Sequence, residues 1–310
     1  MSDTYERYAL GLIRGPRRSE RGPGRKRSPA GRRPSPPASL LARLEALSVK
    51  GWPERATLYT RSLPPGCVHC LDGRGSSISL TTLCNRDCFF CFNPRPRADV
   101  VSVHGRDVRS HAQAGRLLES LGVRSAGISG GEPLLFPART LGLVKELRRR
   151  LPKLWIDVYT NGDLLTPRLL ARLKAAGVDS LRLNLAANGY DPRPVRGALA
   201  VFPDLAVEMP VVPSDQGRLS ALMGRLDGLG VRHLILHELF CSGHNAGLLR
   251  KAGCRTRARP RAFLTWSGVA ASEASALRLV AEALEKKLRL SVYYCSTGTQ
   301  QWIARKAWQT

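Results

Sequence analysis

Three cysteines stand close together at Cys84, Cys88 and Cys91, a C-x3-C-x2-C spacing interleaved with Asn85-Arg86-Asp87 and the aromatic pair Phe89-Phe90. Thiolates are soft ligands suited to iron–sulfur clusters or zinc, and two- or three-residue spacers let a loop curl around a metal. Three thiolates on one loop can hold three irons of a 4Fe–4S cubane. The fourth iron then lacks a protein ligand and is open to chemistry. A second pair, Cys67 and Cys70, sits upstream as C-x2-C with His69 between. Taken with Cys88 and Cys91 it reads as C-x2-C-x17-C-x2-C, the spacing of a four-thiolate zinc site. That alternative describes a zinc-ribbon-type, nucleic-acid-binding protein using Cys67, Cys70, Cys88 and Cys91. It leaves Cys84 without a role.

These loops need elements to position them. Ser76–Thr82 has the β-prone composition of a strand leading into the three-cysteine loop. Further strands are expected at 100–103, 125–129, 154–159, 180–185, 205–211, 232–236 and 290–294. Between them, helical spacing predicts helices over 112–121, 139–151, 167–176, 217–229 and 272–288. Strands alternating with crossover-length helices argue for parallel βαβ units. About six of them suit an α/β fold, a partial (βα)6 TIM-like barrel. Ligand chemistry on such sheets gathers at the C-terminal ends of the strands. The cysteine loop follows the first strand, and Gly130-Gly131-Glu132-Pro133 follows a later one.

That second motif carries the resemblance. Two glycines let the backbone at a sheet end approach a ligand, and exposed carbonyls with Glu132 suit an ammonium group. Gly130-Gly131-Glu132-Pro133, about 40 residues after C-x3-C-x2-C, resembles the GGEP element of the radical S-adenosylmethionine (radical SAM) superfamily. The resemblance covers roughly residues 76–236. It implies that Cys84, Cys88 and Cys91 ligate a 4Fe–4S cluster whose open iron chelates SAM. It also implies that an electron from the cluster, supplied by a donor such as flavodoxin or ferredoxin, releases a 5′-deoxyadenosyl radical that abstracts hydrogen. Gly130, Gly131, Glu132 and Pro133 would then meet the methionine amino group. Phe90 is expected beside the adenine, with core packing as its alternative. Asn161 and Asn184, at later strand ends, are expected near the carboxylate or ribose, with strand-end capping as theirs. One poorly characterised branch looks similar in three further places: Cys67/Cys70, His237-Glu238-Leu239 and Tyr294-Cys295-Ser296. On that likeness Cys67, Cys70 and Cys295 are candidates for a second iron–sulfur cluster or zinc, with Cys241, Cys254, His237 and His244 as further ligand candidates. His237 and Glu238 could bind substrate or move a proton.

At 310 residues the chain can bury a full core, and 43% hydrophobic content is that of a globular protein. No apolar run approaches the roughly 18 residues that span a bilayer. No signal-peptide pattern opens the sequence, so the cytoplasm is the expected compartment. Five of the eight cysteines crowd between Cys67 and Cys91, which without a secretion signal points to metal rather than disulfides. The net charge of +25 suits RNA or an acidic partner as well as merely solvated basic faces. Part of it is local: between Arg14 and Arg33 nine basic residues meet only Glu20. The organisation expected is a short helix and a disordered basic tail over 1–37, a helical lead-in with the C-x2-C knuckle over 38–75, the core over 76–240, and an extension over 241–310. Two substrate classes stay open, a protein or peptide (as in peptide-modifying enzymes and glycyl-radical activases) and RNA.

Overall fold

The computed structural model describes residues 38–52, 57–257 and 266–307. The tail expected over 1–37 lies outside them. The chain opens with helix α1 (Ala38–Ala46) and the strands β1 (Lys50–Trp52) and β2 (Thr57–Tyr59), then helix α2 (Pro65–Leu71) and strand β3 (Gly75–Thr81). After the cysteine loop come β4 (Ser102–Val103), β5 (Arg106–Asp107), α3 (His111–Ser120), β6 (Ser125–Gly130), α4 (Pro137–Arg150), β7 (Trp155–Thr160), α5 (Pro167–Ala176) and β8 (Ser180–Leu183). The remainder is α6 (Arg193–Leu199), β9 (Ala206–Val211), α7 (Gln216–Gly228), β10 (His233–Glu238), β11 (Phe240–Cys241), α8 (Ala246–Lys251), β12 (Ser267–Gly268), α9 (Ser272–Glu285), β13 (Ser291–Cys295) and α10 (Thr297–Ala307).

The strands lie in the order β1-β2-β13-β10-β9-β8-β7-β6-β3-β4-β5. From β3 to β13 every neighbour is parallel, while β2 and β4 cap the two ends antiparallel. The partial-barrel expectation therefore holds, with one addition. β13 is a seventh parallel strand, so the sheet continues past the boundary expected at 240. A second difference is local. Residues around Cys67 and Cys70 form a short helix rather than a knuckle, because Pro65 occupies its first position with φ preset and no N–H to lose.

Side chains alternate along the strands with period two, and the two faces differ in kind. Ile78, Leu80, Ile128, Ile156, Val158, Leu181, Leu183, Val207, Leu234, Leu236, Val292 and Tyr294 form one core under the helices. Helix α5 shows the partner face: Leu169, Leu170, Leu173 and Ala176 are buried, Thr166 caps its start, and Gly177 ends it with φ 104°. The opposite face lines the barrel interior with Ser77, Ser79, Gly127, Asp157, Tyr159, Arg182, Glu208, His237 and Cys295. A sheet with one apolar face and one polar, concave face is built around something polar.

Candidate active site

The ends of β3 and β6 bring the two sequence motifs into contact. The Gly131 amide donates to the Thr81 carbonyl at 2.6 Å, and the Glu132 amide to the Leu83 carbonyl at 2.8 Å. Any Cβ on Gly131 would run into the Leu83 carbonyl oxygen, so this approach requires glycine. The cysteine loop is pinned by residues from elsewhere. Arg86 grips Asp163 at 2.5 and 2.8 Å, and Asn85 donates to the same carboxylate at 2.9 Å. Asn161 donates to Asn85 at 2.7 Å. Arg97 donates to the Cys84 carbonyl at 3.1 Å and to Asp87 at 3.0 Å. Asn245, fully buried, donates to the carbonyls of Phe90 and Phe240 at 3.0 and 3.1 Å.

Cys84, Cys88 and Cys91 are half-buried. Burial first, then the neighbouring Cys91 and Cys84, push the Cys88 thiol up to about 11. Without a cation the Cys88 sulfur stays protonated; with one it becomes a ligand. Glu132 is buried, and both its oxygens are engaged: Oε1 accepts from the Leu134 amide at 3.1 Å and Oε2 from the Asn161 amide at 2.8 Å. It therefore fixes the ends of β6 and β7 relative to each other. Pro133 is buried as it opens a single 3-10 turn. Phe90 packs against the buried group Val212, Leu239, Leu249 and Val269, edge-on to Phe89 at 5.4 Å, and also borders the cleft. The Asn184 Oδ1 is buried with no hydrogen-bond partner.

The three cysteines, Phe90, Gly130, Gly131, Glu132, Asn161 and Asn184 open on one cleft of about 630 Å³. Three thiols on one loop, a glycine turn pressed against it and an orphaned buried carbonyl oxygen on Asn184 fit an iron–sulfur cluster with a polar ligand beside it. Phe92, Phe240 and Trp266 stack at its rim with centroids 4.4–6.5 Å apart, and the Trp266 Nε1 is a buried donor without a partner.

The opposite end of the same cleft holds a second group. Cys67 and Cys70 on α2 and Cys295 at the end of β13 all face it. Cys67 packs with Ala206, Ile235, Tyr293 and Cys295. Arg182, 1% exposed, donates to Asp157 at 3.1 and 3.2 Å, to Glu208 at 3.1 Å and to the Cys67 sulfur at 3.4 Å. A Cβ at Gly66 would overlap the Asp157 carboxylate and Arg182 guanidinium, so α2 sits this deep only because residue 66 has no side chain. Burial pushes the Cys67 thiol up to about 12, partly countered by Arg182. His237 pairs with Glu208 at 2.6 Å and lies beside Cys295 in the sheet. Burial, the largest influence, pulls its imidazolium down, but Cys295 and Glu208 outweigh it and raise it to about 10. The Nδ1 meets the Gln300 amide nitrogen at 3.2 Å, while Gln300 Oε1 is buried without a partner. Turning that amide over would give a second imidazole proton an acceptor.

Glu238 is 0% exposed and accepts from Tyr294 Oη at 3.2 Å, from the Thr297 amide and hydroxyl at 2.8 Å each, and from Arg257. It ties β10 to α10 and to residue 257. Cys241 and Cys254 pack beside Val212, Leu239, Leu249 and Val269 instead of joining the Cys67 group. The zinc-ribbon set is not assembled either: Cys88 has Cys84 and Cys91 as its thiol neighbours, and Cys70 has Cys67 and Cys295. Among the described residues no three Cys, His, Asp or Glu side chains already stand at the spacing of one bound ion, in either group. The sequence reading missed Asp157, Arg182, Glu208, Asn85 and Asn245. The first three left a signal, a charged residue set between apolar ones in a strand.

A family model described as the radical SAM superfamily matches residues 78–198. A Methanocaldococcus jannaschii protein, provisionally named a glycyl-radical enzyme activating enzyme, is 26% identical over 245 residues, covering 75% of this chain and 63% of its own. A GTP 3′,8-cyclase of Heliobacterium modesticaldum is 34% identical over 129 residues, 40% of this chain and 37% of that one. The chain thus spans less than two thirds of the length of either relative. Among solved structures, a radical S-adenosylmethionine methyltransferase of Kitasatospora setae matches at a TM-score of 0.46 and 15% identity, over 81% of this chain and 56% of that one. Streptococcus suis SuiB bound to the precursor peptide SuiA matches at 0.44 and 16%, over 64% and 42%. Residues 78–198 are thus similar to the radical SAM superfamily, and the likeness to the Methanocaldococcus jannaschii protein runs over most of the chain. That family's cofactors are a 4Fe–4S cluster and SAM. No helix of the described residues is long and apolar enough to cross a membrane.

Proposed function

We propose that Cys84, Cys88 and Cys91 ligate a 4Fe–4S cluster, and that SAM lies beside it across the ends of β6, β7 and β8. The observation that carries this is the direct contact of the cysteine loop with the Gly130-Gly131 turn, both facing one cleft. Gly130 and Gly131 keep the backbone low enough for a ligand's ammonium, while Glu132 and Pro133 hold that turn in place. Asn184 offers its unpartnered oxygen, Asn161 braces the loop through Asn85, and Phe90 closes the side nearest the adenine. Bound together, cluster and SAM supply a one-electron cleavage of the sulfonium and a 5′-deoxyadenosyl radical for hydrogen abstraction. The chain's own part is to seat SAM, align the substrate and keep water out. An external one-electron donor of the flavodoxin or ferredoxin kind is required. The thiols of Cys67, Cys70 and Cys295 hold a second metal at the other end of the cleft.

The substrate is a protein or peptide. The name of the Methanocaldococcus jannaschii relative supports this, since a glycyl radical is formed on a protein backbone and the likeness runs over 75% of this chain. After anaerobic loading with iron and sulfide, dithionite and SAM should give 5′-deoxyadenosine, and the Cys88→Ala variant should give none. Added glycine-containing peptides of a co-purifying protein should raise turnover and, when deuterated, pass deuterium into 5′-deoxyadenosine. Transfer from tRNA instead would replace the protein substrate with RNA. Failure of the wild-type protein to cleave SAM would end the reading.

A further inference from the structure

The second group of thiols is assembled from the two ends of the described chain, and it brings an imidazole with it. Cys295 and His237 are register partners on adjacent parallel strands, so their side chains leave the sheet on the same face. That face is the cleft, which Cys67 and Cys70 enter from α2. His237 presents its Nε2 to Glu208 at 2.6 Å. This is the outer bond that commonly orients a metal-binding histidine. That leaves the Nδ1, which meets Gln300 Nε2 at 3.2 Å, and the imidazole also lies against Cys295. Arg182 already donates to the Cys67 sulfur, as a neighbour of a metal-bound thiolate would. The donors are three sulfurs and one imidazole nitrogen backed by a carboxylate.

We propose that Cys67, Cys70, Cys295 and the Nδ1 of His237 form a four-coordinate zinc site in the barrel interior, with Glu208 as the positioning residue for the imidazole. This rests on the reading that the three thiols hold a metal, and adds the fourth ligand and the identity of the ion. A closed Cys3His shell is that of a structural zinc. Its ligands come from α2, β10 and β13, so the ion would bolt the start of the chain to the seventh strand. The site would form the floor of the cleft opposite the cysteine loop. Loading removes the thiol protons and places the metal where they were.

The test uses the full chain with Cys84, Cys88 and Cys91 all replaced by alanine, so that only the second site can load. Zinc and iron are measured by mass spectrometry, and cobalt(II) is substituted to read the ligands from its visible spectrum. The expected result is one zinc per chain, a tetrahedral thiolate–cobalt spectrum, loss of the ion in His237→Ala and its retention in His237→Cys. Glu208→Gln should weaken zinc affinity about 10- to 100-fold. An iron–sulfur spectrum in this triple variant would leave a second metal in place and overturn the zinc site. Unchanged zinc affinity in His237→Ala would overturn the fourth ligand. No metal at all in a protein that otherwise melts as the wild type does would overturn both the site and the second-metal reading, without touching the Cys84–Cys91 cluster.

Discussion

The two cysteine groups face each other across one cleft but are built in opposite ways. The Cys84–Cys91 group is local: three cysteines lie within eight residues, and half-exposed ion pairs such as Arg86–Asp163 hold the loop. The Cys67–Cys70–Cys295 group is tertiary. Its Cys67–Cys70 pair and Cys295 are more than two hundred residues apart in the sequence, and its frame is a set of charges, the buried Asp157 and Arg182 with the partly buried Glu208 and His237. A local loop can open to admit a ligand at small cost to the fold. A site framed by buried charges cannot open without unpairing them, so the rim is suited to exchange of SAM and the floor to permanence.

Removing the central cation of the floor should have the largest effect. Arg182→Ala leaves the buried Asp157 without a cationic partner and Glu208 with His237 alone, and breaking a buried pair in this way costs about 3–5 kcal/mol. Denaturant unfolding should show the loss; a change below about 1 kcal/mol would mean the floor is no more rigid than the rim. Acid should strain the same side of the barrel. His233, 8% exposed and bonded to Ser62 Oγ at 3.0 Å, is pulled down to about 4, first by burial and then by Arg182. The unfolded chain therefore binds its proton first as pH falls, and stability is lost from about 6.5 down to about 4, by about 3 kcal/mol in all. Thermal melts of His233→Gln should lack this part of the acid limb; identical limbs would refute it.

At the rim the effects should shrink. Asn245→Ala strands the Phe90 and Phe240 carbonyls and costs about 1–3 kcal/mol, with the cysteine loop loosened in hydrogen exchange. Arg86→Ala breaks a partly exposed pair worth about 0.2–1 kcal/mol, screened by salt. Its stability change should be small and vanish near 1 M salt, while SAM affinity falls. If Arg86→Ala destabilised the protein as much as Arg182→Ala, the contrast between rim and floor would fail.

The same contrast explains what could be read from the sequence. The rim was legible because its information is short-range: C-x3-C-x2-C, Gly-Gly-Glu-Pro and the period-two strands that precede each are contained in a few residues. The parallel strands fell close to their expected places, as at 154–159 against Trp155–Thr160. The floor was legible only as unpaired parts. Cys67 and Cys70 read as a C-x2-C knuckle, yet Pro65 begins a helix there, and Gly66 matters for what it lets approach. Nothing near Cys295 says that β13 lies beside β10, a pairing fixed by the packing of α9 and not by local composition. Arg182 and Glu208 were visible as charges inside apolar strands, but their partner strands were not.

The central claim is that the cysteine loop and the glycine turn form one site, in which SAM reaches the cluster. Electron paramagnetic resonance of the reconstituted, dithionite-reduced protein tests it directly. The signal of a reduced 4Fe–4S cluster should change shape when SAM is added, and the Cys88→Ala variant should give no such signal. A cluster signal that SAM leaves unaltered, or one that survives loss of Cys88, would contradict the account.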